Sequence, residues 1–152
     1  MGAVSDRLVE LGIELPPVAA PVACYVPAVR SGQHVYTSGQ LPMVAGTLLA
    51  TGKVGAEVTA DEAVGYARTC ALNALAAIHA LVGIDNVRRV VKVVGFVAST
   101  PDFTGQPGVV NGASNFLGEL FGDAGAHARS AVGVTVLPLD APVEIELIVE
   151  VD

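Results

Sequence analysis

Tryptophan is absent from this 152-residue chain, cysteine occurs twice, and charged side chains make up only 15% of it. Each scarcity excludes something. Cys24 and Cys70 lie far apart, with neither metal-ligand spacing nor a CxxC redox pair. Each is expected to pack as a small hydrophobe. Eight Lys and Arg against 15 Asp and Glu leave a net charge of −7. Nucleic-acid binding draws its affinity from neutralising phosphates, so this balance argues against it. The one basic cluster is Arg88, Arg89 and Lys92. No apolar run reaches the roughly 18 residues of a membrane-spanning helix. Residues 1–15 carry Asp6, Glu10 and Glu14 and lack the cationic-then-apolar order of a signal peptide. The expectation is a soluble, cytoplasmic protein. HExxH, GxGxxG, P-loop and GxSxG motifs are all missing. His34, His79 and His127 read as isolated residues. Nothing in these patterns asks for a metal or another cofactor.

What is abundant is apolar: 52% of the chain is hydrophobic. One domain over residues 1–152 is expected from the length. The low charge implies more apolar surface than such a domain hides by itself, hence an oligomer.

Residues 3–11 read as a short helix ending near Gly12, followed to residue 18 by an extended arm. Pro16, Pro17 and Pro21 keep the chain extended. Segments 22–29 and 34–38 are β-rich, with a hairpin turn at 30–33. Residues 43–58 should be mostly loop with short strand character. Thr59-Ala60-Asp61-Glu62 is a capping-box pattern, and Val64, Ala67, Ala71, Leu75, Ile78 and Val82 follow at helical spacing up to Gly83. Small residues line a second stripe, so this helix should be covered on two sides. Residues 87–98 read as a strand with a bulge at Gly95. A second helix is expected over 108–121, then strands over 130–137 and 143–151 around a turn at 138–142. Strict alternation in the last strand puts Val143, Ile145, Leu147, Val149 and Val151 on one face. The pattern implies an α+β layer, with helices on one sheet face and the other face left for subunit association.

Three places could carry chemistry. Arg129 is the only basic residue after Lys92, and a guanidinium grips a carboxylate with a planar fork. Its simpler reading is a solvated strand-end arginine. Glu144 shares a strand face with Glu146 and Glu150, which reads either as a solvated acidic face or as a carboxylate that deprotonates water. Ser38 and Gly39 end a strand, where small residues let backbone N–H groups approach a ligand, unless they simply turn the chain. If the 138–142 turn pairs Leu137 with Val143, Glu144 faces Val136 and Arg129 lies roughly 23 Å further along. That register puts the two side chains on opposite sheet faces. They could then meet on one substrate only across a subunit interface.

Tyr25, then Gly32-Gln33-His34-Val35-Tyr36-Thr37-Ser38-Gly39-Gln40-Leu41-Pro42, resembles the N-terminal signature of the Rid family of reactive-intermediate deaminases, also called YjgF-like or endoribonuclease L-PSP-like proteins. Ala128-Arg129-Ser130-Ala131-Val132, Leu137-Pro138 and Val143-Glu144-Ile145-Glu146 resemble its C-terminal signature. The resemblance implies a chorismate-mutase-like α+β fold, a mixed sheet with two main helices on one face, assembled as a homotrimer with ligand clefts between subunits. It implies hydrolysis of enamines and imines such as 2-aminoacrylate and 2-iminopropionate to 2-keto acids and ammonia, without a cofactor. The implied partner is a carboxylate-bearing imine or 2-keto acid, while the acidic balance argues against nucleic acid and the lack of a long apolar run against a membrane.

By motif, Arg129 would grip the substrate carboxylate and Glu144 of a neighbouring subunit would orient the attacking water. Tyr25 would line the pocket, and Ser38 and Gly39 would form the loop over the ligand. Asn111 occupies a position resembling a polar residue of the family near the cleft. The chain departs from the family at Ala131, where many deaminases have Cys, and at Val22-Ala23-Cys24, where Gly-Pro is frequent. It also adds an N-terminal helix and residues around 104–109, as in a longer branch of the family. Two alternatives stay open: a non-catalytic 2-keto acid-binding or regulatory trimer, and an endoribonuclease or translation initiation inhibitor.

Overall fold

A computed structural model describes residues 2–18 and 24–152 of the chain. The short helix α1 (Ala3–Glu10) is capped from a distance. The Asp85 carboxylate accepts from the backbone N–H groups of Gly2 and Ser5, at 3.1 and 2.8 Å, and from the Ser5 hydroxyl at 2.7 Å. These bonds hold the Asp85 carboxyl below its ordinary range. They also satisfy donors that the first turn leaves open.

Strands β1 (Ala28–Ser31) and β2 (His34–Thr37) form the expected hairpin. Its loop is Gly32-Gln33, and the positive φ of 60° at Gly32 is the reason glycine opens it. Residues 24–27 are not strand, so β1 starts later than the β-rich segment 22–29 suggested, and residues 22 and 23 lie outside the described residues. Two-residue strands β3 (Met43–Val44) and β4 (Thr47–Leu48) give the 43–58 segment its slight strand character. Helix α2 (Ala60–Val82) starts where Thr59 Oγ accepts from the Glu62 N–H at 3.2 Å. Among the described residues the return bond from the Glu62 side chain is absent, so the capping box is half made. Strand β5 (Val87–Ala98) is followed by α3 (Gln106–Phe121), which starts two residues earlier than expected because Pro107 suits a first turn. Strands β6 (Ala128–Val134) and β7 (Val143–Val151) complete the chain.

The sheet order is β1-β2-β7-β5-β6, with β6 parallel to β5 and the other pairs antiparallel. This overturns the hairpin that would have paired Leu137 with Val143. The 135–142 connection instead carries the chain past the end of β5. Leu137 and Ala141 are buried on the way, and Leu139 and Asp140 turn through positive φ values of 59° and 58°. The apolar β7 takes a central position with both edges paired, and the Ala- and Gly-containing β6 takes the sheet edge. Gly95 is not a bulge, since its register runs straight through to Ile145 and Ala131. It is needed because α3 lies so close that a Cβ there would collide with Val110. The irregularities fall instead between Val87 and Lys92.

Helices α2 and α3 cover one sheet face, and all five odd-numbered residues from Val143 to Val151 are buried beneath them. Cys70 packs in this core, where burial pushes its thiol up. Cys24 is exposed, contrary to the expectation of two packed cysteines. Among the described residues no helix or strand covers the other face. There Val29, Tyr36 and Val132 are 53%, 41% and 43% exposed, beside half-buried Val94, Phe96 and Ile148.

Candidate active site

Arg129 and Glu144 are placed by the sheet register. Arg129 aligns with Val93, which aligns with Leu147 on the helix-covered face. Glu144 aligns with Phe96, one strand face away. The two are about 10 Å apart along the strands and about 10 Å across them, with the sheet between. The separation onto opposite faces, expected from a hairpin, thus arises from a different topology.

Around Arg129 the neighbours are neutral. Its Nη1 donates to Asn111 Oδ1 at 2.7 Å and to Ser114 Oγ at 3.3 Å, both on α3. Ser114 Oγ lies 2.9 Å from His127 Nε2, and His127 Nδ1 lies 2.6 Å from the Gly125 carbonyl. A carbonyl can only accept, so Nδ1 carries a proton, and in the neutral imidazole Nε2 then accepts from the Ser114 hydroxyl. Ser114 then offers a lone pair to Arg129. His127 is therefore not isolated. Its signal was present in the sequence as the residue two before Arg129, but its partner on α3 could not be read there. Among the described residues no carboxylate lies within 4.0 Å of Arg129. The guanidinium is held in place with its charge uncompensated.

Around Glu144 the fixing is done by backbone and by space. Gln40 N–H donates to the Ile145 carbonyl at 2.8 Å, and Ile145 N–H returns a bond to the Gln40 carbonyl at 3.0 Å. Those bonds clamp the 38–40 loop onto β7 beside Glu144. A Cβ on Gly39 would overlap the Glu144 carboxylate, so glycine there makes its room. Ser38 donates from its hydroxyl to the Val26 carbonyl at 2.6 Å and from its N–H to the Pro27 carbonyl at 2.8 Å. This ties the segment carrying the exposed Tyr25 to the same loop. Gln40 belongs to the signature segment, but the sequence alone gives it no role. Burial, and then the neighbouring Glu146, raise the Glu144 carboxyl above its ordinary value of 4.5. A carboxylate so placed is a stronger base than an exposed one.

The six residues singled out in the sequence therefore fall into two groups. Asn111 and Arg129 lie together at the α3–β6 edge. Tyr25, Ser38, Gly39 and Glu144 belong to the loop and strand face on the other side.

Residues 5–151 match the family model described as "YjgF/chorismate mutase-like, putative endoribonuclease". The chain belongs to the YjgF/chorismate-mutase-like family. Protein TCP17 of Trypanosoma cruzi is 46% identical over 155 residues, covering 99% of this chain and 96% of that protein. The crystal structure of Atu1372, a protein of unknown function from Agrobacterium tumefaciens, is also 46% identical. It superposes with a TM-score of 0.91 over 99% of this chain and 93% of its own. TdcF of E. coli, solved with bound serine, is 28% identical, with a TM-score of 0.63 over 91% of this chain and 94% of its own. Within the YjgF/chorismate-mutase-like fold, this chain thus superposes more closely on Atu1372 than on TdcF.

Proposed function

We propose that this protein hydrolyses enamine and imine intermediates of the 2-aminoacrylate and 2-iminopropionate type to 2-keto acids and ammonia, in clefts between subunits of a homotrimer. The observation that carries the reading is Arg129: a guanidinium fixed by neutral partners, with no carboxylate paired to it among the described residues, is prepared to take one from a ligand. The serine bound to TdcF supports a site sized for a small amino-acid-like molecule. Because the sheet separates Arg129 from Glu144, a shared substrate needs Glu144 from a second subunit. The uncovered apolar sheet face supports such an assembly.

The chemistry needs few groups. Arg129 orients the substrate carboxylate. Water, with one proton passing to the Glu144 carboxylate, adds to the imine carbon, and the C=N π electrons move to nitrogen. Glu144 returns the proton to that nitrogen, and the hydroxyl proton passes to the same nitrogen as the C–N bond breaks, so the ketone forms and ammonia leaves. An enamine enters this sequence after tautomerising to the imine, its N–H proton moving to the terminal carbon. Water and imine become keto acid and ammonia, with no net oxidation.

The test is ammonia release from freshly generated 2-iminopropionate and 2-aminoacrylate, for wild type, Arg129→Ala and Glu144→Ala. Acceleration lost in both variants supports hydrolysis. Saturable 2-keto acid binding without acceleration would assign the cleft to binding alone. The family description also names an endoribonuclease. RNA cleavage abolished by Arg129→Ala in nuclease-free protein would favour that activity instead.

A further inference from the structure

A cleft of about 580 Å³ opens beside the end of β6, and the reaction above leaves it unused. Its lining includes Gly133 and Thr135 from the β6 side, Ser99, Phe103 and Gln106 opposite, and Lys53. Arg129, Ala131 and Gly133 alternate onto one face of β6, so the guanidinium and the cleft share a row. On α3, Gln106 stands five residues before Asn111, the partner of Arg129, which is about 7.5 Å along the helix. On that row Ala131 stands between Arg129 and Gly133. The backbone of this row is also available. The Val134 carbonyl turns inward to accept from Ser99 N–H at 3.3 Å, so the N–H and C=O groups of Ala131 and Gly133 turn out from the sheet edge.

Gln106 gives the cleft its chemistry. Its Nε2 donates to the Phe103 carbonyl at 2.7 Å and to Ser99 Oγ at 3.2 Å, which uses both amide hydrogens. Among the described residues Oε1 receives no hydrogen bond, and Ser99 keeps its hydroxyl proton to donate. Gly133 leaves the space for this pair, since a Cβ there would stand 2.8 Å from Gln106 Nε2 and 3.0 Å from Ser99 Oγ. The one cation in the lining, Lys53, already pairs with Asp140, and its backbone N–H donates to Glu57 at 2.9 Å. A second anion would find no surplus positive charge, and a cation would meet the Lys53 ammonium.

We propose that this cleft is a side-chain subsite, and that the substrate is a 2-imino acid with an extended side chain ending in a neutral donor–acceptor group such as a carboxamide or ureido group. Its carboxylate rests on Arg129 and its far end lies between Gln106 and Ser99. The span to be bridged lies between about 7.5 Å, the rise along α3, and about 13 Å, the length of β6 from Arg129 to Gly133, which calls for a long, extended side chain. The proposal rests on the imine-hydrolase reading and sharpens its substrate class.

The test generates imines in situ from alanine, norleucine, citrulline, arginine and 2-aminoadipate and measures kcat/KM for each. The citrulline imine is expected to exceed the alanine and norleucine imines several-fold, because half-buried hydrogen-bonding groups at Ser99 and Gln106 favour ligands that can pair them. Arginine and 2-aminoadipate imines should fall below it. Gln106→Leu and Gly133→Val should bring the citrulline-to-norleucine ratio close to one. Hydrolysis of all five imines with similar kcat/KM would overturn the subsite and leave the hydrolase reading standing. A preference for either charged imine would overturn the neutral end group. No acceleration with any imine would overturn both readings.

Discussion

The two sides of the sheet that carry the candidate residues are built by opposite means. At Arg129 a permanent charge is fixed by side chains: Asn111 and Ser114 reach it from α3, and His127 orients Ser114. At Glu144 a titratable charge is fixed by backbone: the Gln40–Ile145 bonds clamp the loop, and Gly39 leaves room. The first arrangement suits a binding group, whose direction matters and whose charge does not change. The second suits a proton carrier, whose burial and acidic neighbour raise its pKa.

The largest expected effect tests whether these halves act together. Arg129→Ala should lower kcat/KM for imine hydrolysis by about 10²-fold or more, as loss of a hydrogen-bonded charge partner does. Glu144→Ala should lower it by about 10²–10⁴-fold, the span of general acid–base catalysis. Mixing the two inactive proteins under conditions of subunit exchange should then restore about a quarter of wild-type activity. In cyclic trimers formed at random, each mixed trimer regains one intact pairing. No recovery, with exchange verified by mass spectrometry of tagged subunits, would break the comparison.

Gly39→Ala comes next. The added methyl must move the Glu144 carboxylate, so kcat should fall about tenfold or more while 2-keto acid affinity, which depends on Arg129, holds. On the other side, Ser114→Ala removes one weak partner of Arg129. KM should rise several-fold with little change in kcat, in line with a hydrogen bond of about 1 kcal/mol, and Ser114→Thr should recover it. A drop in kcat instead would show that Ser114 does more than position the guanidinium. The smallest effect is a pH shift. Glu146 contributes to holding the Glu144 carboxyl above its ordinary value. Glu146→Gln removes a neighbouring negative charge, favours ionised Glu144, and should move the acid limb of kcat/KM to lower pH.

Much of the fold was legible locally. The 3.6-residue spacing after Thr59 and the strict alternation from Val143 to Val151 each have one physical reading, because burial of one face demands that period. The candidate residues were legible as motifs. Their relation was not. Adjacent strands joined by a turn suggest a hairpin, yet β7 inserts between β2 and β5, a choice made by which strand can fill a doubly paired position. His127 shows the same limit, since its proton is assigned only once Gly125 and Ser114 stand on either side of it.

Composition and periodicity by themselves determined the apolar excess and the existence of the main helices and strands, though not all their bounds, since these depend on the residues present and their neighbours along the chain. The signature segments were legible as a resemblance. Tertiary structure alone decided the strand order, the neutral cradle of Arg129, the room beside Gly39 and the cleft beyond Gly133. Each of these depends on which distant segment comes to lie opposite, and that is settled when the whole core packs at once.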